Sequence, residues 1–234
     1  MSAREAPLLL DFDHTLFDTD RFFWVDVRAA VARLGVDAHL WEETYEAVWP
    51  GGYSIERHVE TLAARVSWPH PQQILDVFDG EFGDLRGYLF PDVLPFLKAA
   101  RRAGRRLILL SFGDPAWQAF KVEESGLAGL LDEVHATGVE GGKAGLAAAL
   151  ADAGAAAGAA IAVDNNPHEL DAMRDRCPTL RTYRMDRVPP DLARPNPAGD
   201  AGEAAYRFRE ARRYVGLPAR HPHRACRSLA EVAL

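Results

Sequence analysis

Residues 8–16 read LLLDFDHTL, and the order of apolar and acidic residues in this stretch suggests a fold and a chemistry. Its first half is a short apolar run that is typical of a buried β-strand. Asp11 and Asp13 follow it, two residues apart, so both carboxylates can lie on one face of the following turn. Such carboxylates repel each other unless a proton or a cation intervenes, and Mg²⁺ prefers oxygen ligands. The stretch predicts a magnesium-binding aspartate pair, with a solvated surface turn as the alternative.

Outward from this stretch the chain divides into a helical block and an alternating block. Helical spacing recurs over 22–34, 38–48, 54–66 and 71–85. Beyond it, helices are expected at 92–103, 115–124, 143–153 and 167–174, and strands at 106–110, 133–136, 159–163 and 180–183. Alternation of this kind predicts an α/β fold with a parallel sheet and helices on both faces. Ligands of such sheets bind at the carboxyl ends of the strands.

The last part of the chain has a different composition. Residues 188–200 are rich in proline and polar residues and predict a loop, 203–214 predict a surface helix, and 224–228 a final strand. We expect the arginines of the helix to form a solvated face rather than a binding patch; they are Arg207, Arg209, Arg212 and Arg213. His221, His223 and Cys226 resemble a metal site, but no fourth ligand is evident, so we expect none.

Bulk properties narrow the class of protein. The chain has 234 residues and a formal net charge of -7, which disfavours nucleic acid and anionic membrane as partners. Its cysteines, Cys177 and Cys226, have no metal-type spacing and are expected to be reduced thiols. The apolar run 7–10 is too short for a signal sequence or a membrane span, so we expect a cytoplasmic protein.

Other predicted strands also end in reactive residues. Ser111 follows an apolar run, and its hydroxyl with the N–H groups of Phe112 and Gly113 can bind phosphate oxygens. Lys143 lies at the start of a helix after two glycines, and Asp164 ends a strand. Taken singly, Ser111 fits a loop or helix cap, Lys143 a surface lysine and Asp164 a helix cap. Their occurrence in this order after the Asp11 motif favours one shared phosphate site.

In these features the sequence resembles the haloacid dehalogenase-like hydrolases over about residues 7–183. DFDHTL at 11–16 matches the first motif of the family, and Ser111, Lys143 and Asp164 match the second, third and fourth. The resemblance implies a doubly wound, Rossmann-like core formed by 1–17 and 89–234, and a helical cap domain inserted at 18–88.

The resemblance also implies the role of each motif residue. Asp11 would attack phosphorus to form an aspartyl-phosphate, and Asp13 would protonate the leaving oxygen and then activate water. Mg²⁺ would be bound by Asp11, the backbone carbonyl of Asp13, and Asp164. The residues expected to bind phosphate are Thr15, Ser111, Phe112, Gly113 and Lys143. Dehalogenases of the family lack the second aspartate, so Asp13 favours phosphate chemistry.

The expected activity is therefore magnesium-dependent hydrolysis of a small phosphorylated metabolite. A phosphotransferase or mutase acting on a sugar phosphate, and an inactive phosphate-binding regulator, remain alternatives. In the cap, Tyr53, Arg57 and His58 are the candidates for substrate contact. The fourth motif departs from the family pattern, because Asn165 follows Asp164 and Glu169 is the acid at a plausible offset.

Overall fold

The computed structural model describes residues 6–67, 70–138, 141–154, 158–193 and 206–234. Within these ranges, parallel strands form one six-stranded sheet in the order β3-β2-β1-β4-β5-β6. The strands are β1 (Ala6–Leu10), β2 (Arg105–Phe112), β3 (Glu133–Thr137), β4 (Ile161–Asp164), β5 (Arg181–Met185) and β6 (Arg224–Cys226). The order reverses beside β1, which is the switch point where doubly wound folds bind ligands. The predicted α/β Rossmann-like class is confirmed.

Helices connect the strands. Within the described ranges, five α-helices lie between β1 and β2, and the first four of them are α1 (Arg28–Ala32), α2 (Ala38–Val48), α3 (Ile55–Ala63) and α4 (Pro71–Glu81). The others alternate with the strands: α5 (Val93–Arg102), α6 (Pro115–Glu124), α7 (Lys143–Gly154) and α8 (Pro167–Arg176). No helix in the described ranges is both long enough and apolar enough to cross a membrane.

The sheet is apolar on both faces, as a parallel sheet covered by helices must be. Leu8 and Leu10 of β1 face the larger core, which continues into the helical segment at 18–88. Leu9 faces the opposite way and packs with residues of α7 and α8 such as Ala147 and Leu170. Burial on both faces holds β1 in the middle of the sheet, so the residues that follow Leu10 emerge at its centre.

The first predicted helix has a different geometry at its start. A π-helical turn, Asp20–Val27, precedes α1, where the spacing predicted one helix over 22–34. The wider turn brings Phe22, Phe23 and Trp24 into the core together. Helical periodicity does not separate these geometries, because their side-chain spacing differs by only a fraction of a residue per turn.

The predicted surface helix at 203–214 is wrong in the part that is described. Residues 203–205 lie outside the described ranges, and a 3₁₀ helix, Ala211–Tyr214, follows turns from 206 onward. The N–H groups of Glu210 and Ala211 donate to the Asp20 carboxylate at 2.8 and 3.0 Å instead of to carbonyls of a helix. A tertiary contact therefore replaces the helical hydrogen bonds here.

Arg207 and Arg209 depart from the expected solvated face, while Arg213 is exposed. Arg207 binds Asp18 through two hydrogen bonds of 2.7 and 2.6 Å. Arg209 stacks on the Trp24 ring, and Arg213 binds Glu46. We call residues 206–214 the strap, because their side chains attach them to the helical segment.

The loop predicted at 188–200 is described only to residue 193 and contains a short 3₁₀ helix, Pro190–Leu192. Cys177 and Cys226 are buried free thiols. His221 binds Asp175, and His223 binds Asp171 and Thr182 through hydrogen bonds. These contacts tie the segment before β6 to α8.

Candidate active site

The turn after β1 places both aspartates at the carboxyl end of the sheet, beside its inner strands. The N–H of Asp11 still donates to the Val163 carbonyl of β4 at 2.9 Å, so Asp11 continues the strand by one residue. Phe12 then accepts hydrogen bonds from Leu16 and Phe17, which closes the turn. His14 adopts a φ of 60° inside it. Asp11 and Asp13 line one pocket as a result.

The Asp11 carboxylate has a defined partner on each oxygen. Thr15 donates its hydroxyl to Oδ2 at 2.8 Å, and the Lys143 ammonium donates to Oδ1 at 2.7 Å. Lys143 also donates to Oδ2 of Asp164 at 2.8 Å, while the N–H of Asn166 holds the other oxygen of Asp164. The structure therefore brings together Asp11, Lys143 and Asp164, from three separate elements.

Burial shapes the electrostatics of this group. Burial raises the pKa of Asp11, and the neighbouring charge of Asp164 raises it further, against the effect of Lys143. Burial also raises the pKa of Asp164. Burial alone would lower the pKa of Lys143, but Asp11 and Asp164 raise it, so the ammonium stays charged. Negative charge is in excess, because one ammonium faces two carboxylates and the nearby Glu169.

Glu169 adds a further buried carboxylate beside this group. Its Oε1 accepts from the N–H of Gly141 at 2.7 Å, while Oε2 has no hydrogen-bond partner in the described part of the chain. Across the described ranges, no cluster of three or more His, Cys, Asp or Glu side chains forms a ready-made metal cage. Mg²⁺ is commonly held by one or two carboxylates together with water and substrate phosphate. The hard oxygen donors and the uncompensated negative charge therefore fit this ion.

Asp13 lies in a hydrogen-bond network of its own. Its Oδ1 accepts from Lys121 at 2.5 Å and from Thr19 at 2.6 Å, and its Oδ2 accepts from Gln118 at 3.1 Å. Burial would raise the pKa of Asp13, but the Lys121 ammonium and the hydrogen bonds outweigh it and hold the pKa below its usual value. The carboxylate is thus charged and fixed in orientation.

Sequence reasoning missed Lys121 and Gln118. Both lie on α6, which begins shortly after β2. The Asp114 carboxylate caps this helix by accepting hydrogen bonds of 3.0 Å from the N–H groups of Ala116 and Trp117. Their spacing of three residues places both side chains on one face of α6. This spacing, which begins seven residues after Ser111, was the feature of the sequence that could have indicated the two residues.

The predicted phosphate-binding residues do not all line the pocket. Ser111 is buried and lines the pocket, and its hydroxyl donates a long hydrogen bond of 3.4 Å to the Phe112 carbonyl. Gly113 has a φ of 137°, and a Cβ there would lie 2.7 Å from Nε2 of Gln118. Thr15 is fully buried, outside the pocket lining, so it holds Asp11 rather than a phosphate.

Only one of the three candidate substrate contacts borders the pocket. Tyr53 lines it, as expected. His58 is fully buried between Thr44 and Tyr53 through hydrogen bonds of 2.8 and 3.1 Å. Arg57 donates to the carbonyls at 51 and 52, at 3.0 and 2.6 Å, and so closes the loop before α3. His58 and Arg57 do not line the pocket, so the structure gives no support to their proposed role as substrate contacts.

Sequence comparison assigns the chain that forms this site to a family. The family profile described as haloacid dehalogenase-like hydrolase matches residues 8–178. The chain belongs to the haloacid dehalogenase-like hydrolases. The match contains Asp11, Ser111, Lys143 and Asp164, the residues on which the resemblance was based. A search of curated proteins returned no match.

Solved structures share the fold at low sequence identity. A protein from Burkholderia xenovorans, described as a haloacid dehalogenase-like hydrolase, is 18% identical with a TM-score of 0.71, covering 99% of this chain and 100% of that one. L-2-haloacid dehalogenase from Xanthobacter autotrophicus, with chloropropionic acid covalently bound, is 18% identical with a TM-score of 0.66, covering 97% and 96%. A hydrolase of the family from Deinococcus radiodurans R1, with bound phosphate and sodium, is 18% identical with a TM-score of 0.51, covering 98% and 94%.

Proposed function

We propose that this hydrolase cleaves phosphate monoesters of small metabolites, with Asp11 as the nucleophile. The observation that carries the proposal is Asp13, a second carboxylate that lines the same pocket as Asp11 and is held by Lys121 and Thr19. An alkoxide leaving group needs a proton, whereas a halide leaves without one. A positioned second carboxylate therefore favours phosphate ester over carbon–halogen chemistry.

In the first step, an oxygen of Asp11 forms a bond to phosphorus while the bond to the ester oxygen breaks. Asp13 gives its proton to that oxygen, and the alcohol leaves. Lys143 and Ser111 border the same pocket and bind the phosphoryl oxygens, so the charge that spreads over them is stabilised. Covalent catalysis of this kind splits one difficult displacement into two easier ones.

In the second step, Asp13 takes a proton from water, whose oxygen attacks phosphorus and releases the Asp11 carboxylate. The lowered pKa of Asp13 keeps its carboxylate deprotonated and therefore available to accept this proton. For the first step the carboxyl must carry a proton, and a phosphate dianion entering the pocket raises its proton affinity by repulsion.

Asp11, Asp164 and the backbone carbonyl of Asp13 would hold Mg²⁺, and Glu169 lies close to this group. When bound, the ion supplies positive charge that offsets the repulsion between the phosphate and these carboxylates. The chain itself keeps Asp164 in place through the N–H of Asn166 at 2.8 Å.

We assign the helical segment at 18–88 as a cap over this site. Phe22, Phe23, Tyr45 and Tyr53 of this segment line the same pocket as Asp11. Such a wall excludes water from the first step and contacts the leaving group.

The test is phosphate release from p-nitrophenyl phosphate with Mg²⁺, comparing the wild type with Asp11→Asn. We expect the variant to lose at least about a thousandfold in kcat, because the amide cannot act as the nucleophile. Lys98→Met, at an exposed position of α5, is the control. Equal phosphate release by Asp11→Asn and the wild type would refute Asp11 as the nucleophile.

One observation favours a second candidate, metal-free hydrolysis of a 2-haloacid. Lys143 already bridges Asp11 and Asp164 at 2.7 and 2.8 Å, so an ammonium occupies the position between the two carboxylates. Here Asp11 would attack the halogen-bearing carbon, halide would leave, and water would hydrolyse the ester. Chloride release from 2-chloropropionate that persists with a chelator, without phosphate release from any ester, would establish this candidate instead.

A further inference from the structure

The pocket is lined by two groups of residues with different chemistry. At the sheet edge it is lined by the carboxylates and lysines described above. Another part of its lining is aromatic, and we call this part the ring end: Phe22, Phe23, Tyr45, Trp49, Tyr53 and Trp117. The phosphoryl group belongs at the charged end, so the ring end receives the rest of the substrate. This argument rests on the proposed function.

The rings form a wall of fixed geometry. Tyr53 meets Trp117 edge-to-face at 5.3 Å between ring centroids, and Phe23 meets Tyr53 edge-to-face at 4.9 Å. The Tyr53 hydroxyl is hydrogen-bonded to the buried His58, which fixes the ring further. A wall of held rings offers flat, polarisable surface, which is complementary to another ring.

Charge at the ring end is already neutralised. Glu210 of the strap lines the pocket, but its two oxygens bind Arg209 at 2.9 Å and Arg213 at 3.1 Å. The lysines that line the described pocket, Lys121 and Lys143, bind carboxylates at the sheet edge. Among the described residues, a second anionic group on the substrate therefore finds no unpaired cation in the pocket lining.

Gln118 supplies a polar group as well. It lines the pocket and is buried, and its Nε2 donates to Oδ2 of Asp13 at 3.1 Å and to the Phe112 carbonyl at 2.8 Å. These two acceptors fix the orientation of the amide. Its Oε1 is buried and has no hydrogen-bond partner in the described part of the chain. Buried acceptors are normally satisfied, so this atom points to a donor on the ligand.

We propose that the leaving group of the substrate is a flat, uncharged ring that carries an N–H or O–H donor. The ring packs against Trp117 and Tyr53, and the donor binds Oε1 of Gln118. The substrate class is thus an aromatic monophosphate rather than a sugar phosphate or a bisphosphate.

The first test compares alkyl monophosphates whose leaving oxygens have similar basicity: 2-phenylethyl phosphate, n-hexyl phosphate and a hexose 6-phosphate. We expect kcat/KM for the phenylethyl ester to exceed the others by about ten-fold, because ring contacts strengthen its binding. Equal values for the phenylethyl and hexyl esters would overturn the inference and leave the proposed function standing.

A matched pair of variants on α6 tests whether the aromatic rings of the pocket cause the preference for phenylethyl phosphate. Trp117→Leu removes a ring that lines the pocket, and Phe120→Leu removes its stacking neighbour 5.6 Å away, which lies outside the pocket lining. We expect the preference for phenylethyl over hexyl phosphate to fall to about two-fold in Trp117→Leu and to persist in Phe120→Leu. An unchanged preference in Trp117→Leu would contradict the proposal.

Inert phosphonates separate this inference from the proposed function. By calorimetry on the wild type, 2-hydroxybenzylphosphonate is expected to bind about five-fold tighter than 2-methoxybenzylphosphonate, and Gln118→Met to abolish the difference. Tighter binding of benzylphosphonate than of hexylphosphonate, without turnover of any monoester, would keep the ring site and reject the phosphatase. Equal binding of benzylphosphonate and hexylphosphonate would overturn the ring site.

Discussion

Three side chains donate hydrogen bonds to the Asp13 carboxylate, and the Lys121 ammonium is the charged donor among them. Lys121 is buried, so its charge acts on Asp13 with little screening by solvent. We infer that Lys121 is a positioning residue, which holds Asp13 toward the oxygen that it must protonate.

Lys121→Met tests this role. We expect kcat for a phosphate monoester to fall about ten- to a hundredfold, because an unheld Asp13 transfers protons less efficiently, with a smaller change in KM. Lys98→Met serves again as the control, and steady-state kinetics measure both constants. A loss confined to KM, or no loss, would contradict the role of Lys121.

His58 illustrates a buried group with a structural role. Burial lowers its pKa from 6.5 to about 3, so the folded protein keeps it neutral while the unfolded chain gains a proton below pH 6.5. Its contribution to stability is therefore present above pH 6.5 and is lost as the pH falls toward 3.

We expect the free energy of unfolding to fall by about 1.4 kcal/mol from this residue between pH 7.5 and 5.5, measured by urea denaturation. His58→Gln should flatten the pH dependence by that amount, while His39→Gln, at an exposed position of α2, should not. Equal slopes in the wild type and His58→Gln would show that His58 is not responsible.

At the scale of elements, the strap attaches residues 206–214, which precede β6, to the helical segment at 18–88. Asp20 is fully buried, and its carboxylate accepts hydrogen bonds from the N–H groups of Glu210 and Ala211. Glu210 and Tyr214 of the strap line the pocket, so the attachment at Asp20 also shapes the substrate site.

Asp20→Ala leaves these two N–H groups without acceptors, and we expect a loss of about 3 kcal/mol in the free energy of unfolding. Hydrogen exchange at Glu210 and Ala211 should accelerate more than at β1. Asp26→Ala, which removes the acceptor of the Tyr88 hydroxyl elsewhere on the same π-helical turn, is the control. Unchanged exchange at Glu210 would refute the anchoring role of Asp20.

The elements that the sequence predicted correctly are those defined by local patterns. The apolar runs before Asp11, Ser111 and Asp164 predicted three strands of the sheet, because strands buried on both faces are continuously apolar. The strap was missed, because its conformation depends on Asp20, which lies 190 residues away from Glu210 in the chain. No local pattern reports such a contact.

At the scale of the whole molecule, the parallel topology explains why the site could be predicted. The order β3-β2-β1-β4-β5-β6 places the ends of β1, β2 and β4 side by side, which unites Asp11, Ser111 and Asp164. Lys121 and Gln118 escaped prediction, because their roles depend on how α6 packs beside the turn after β1, where both reach Asp13. Arg57 and His58 fall outside the pocket lining for a similar reason, since Arg57 closes the loop before α3 and His58 is buried among cap residues.

The central claim is that Asp11 forms a bond to phosphorus. The most direct measurement mixes excess enzyme with a phosphate monoester and Mg²⁺, quenches in acid within the first turnover, and analyses the peptides by mass spectrometry. The account predicts one added phosphoryl group on the peptide that contains Asp11, absent in Asp11→Asn. Phosphate release with that peptide unmodified at every quench time, or the phosphoryl group on another residue, would contradict it.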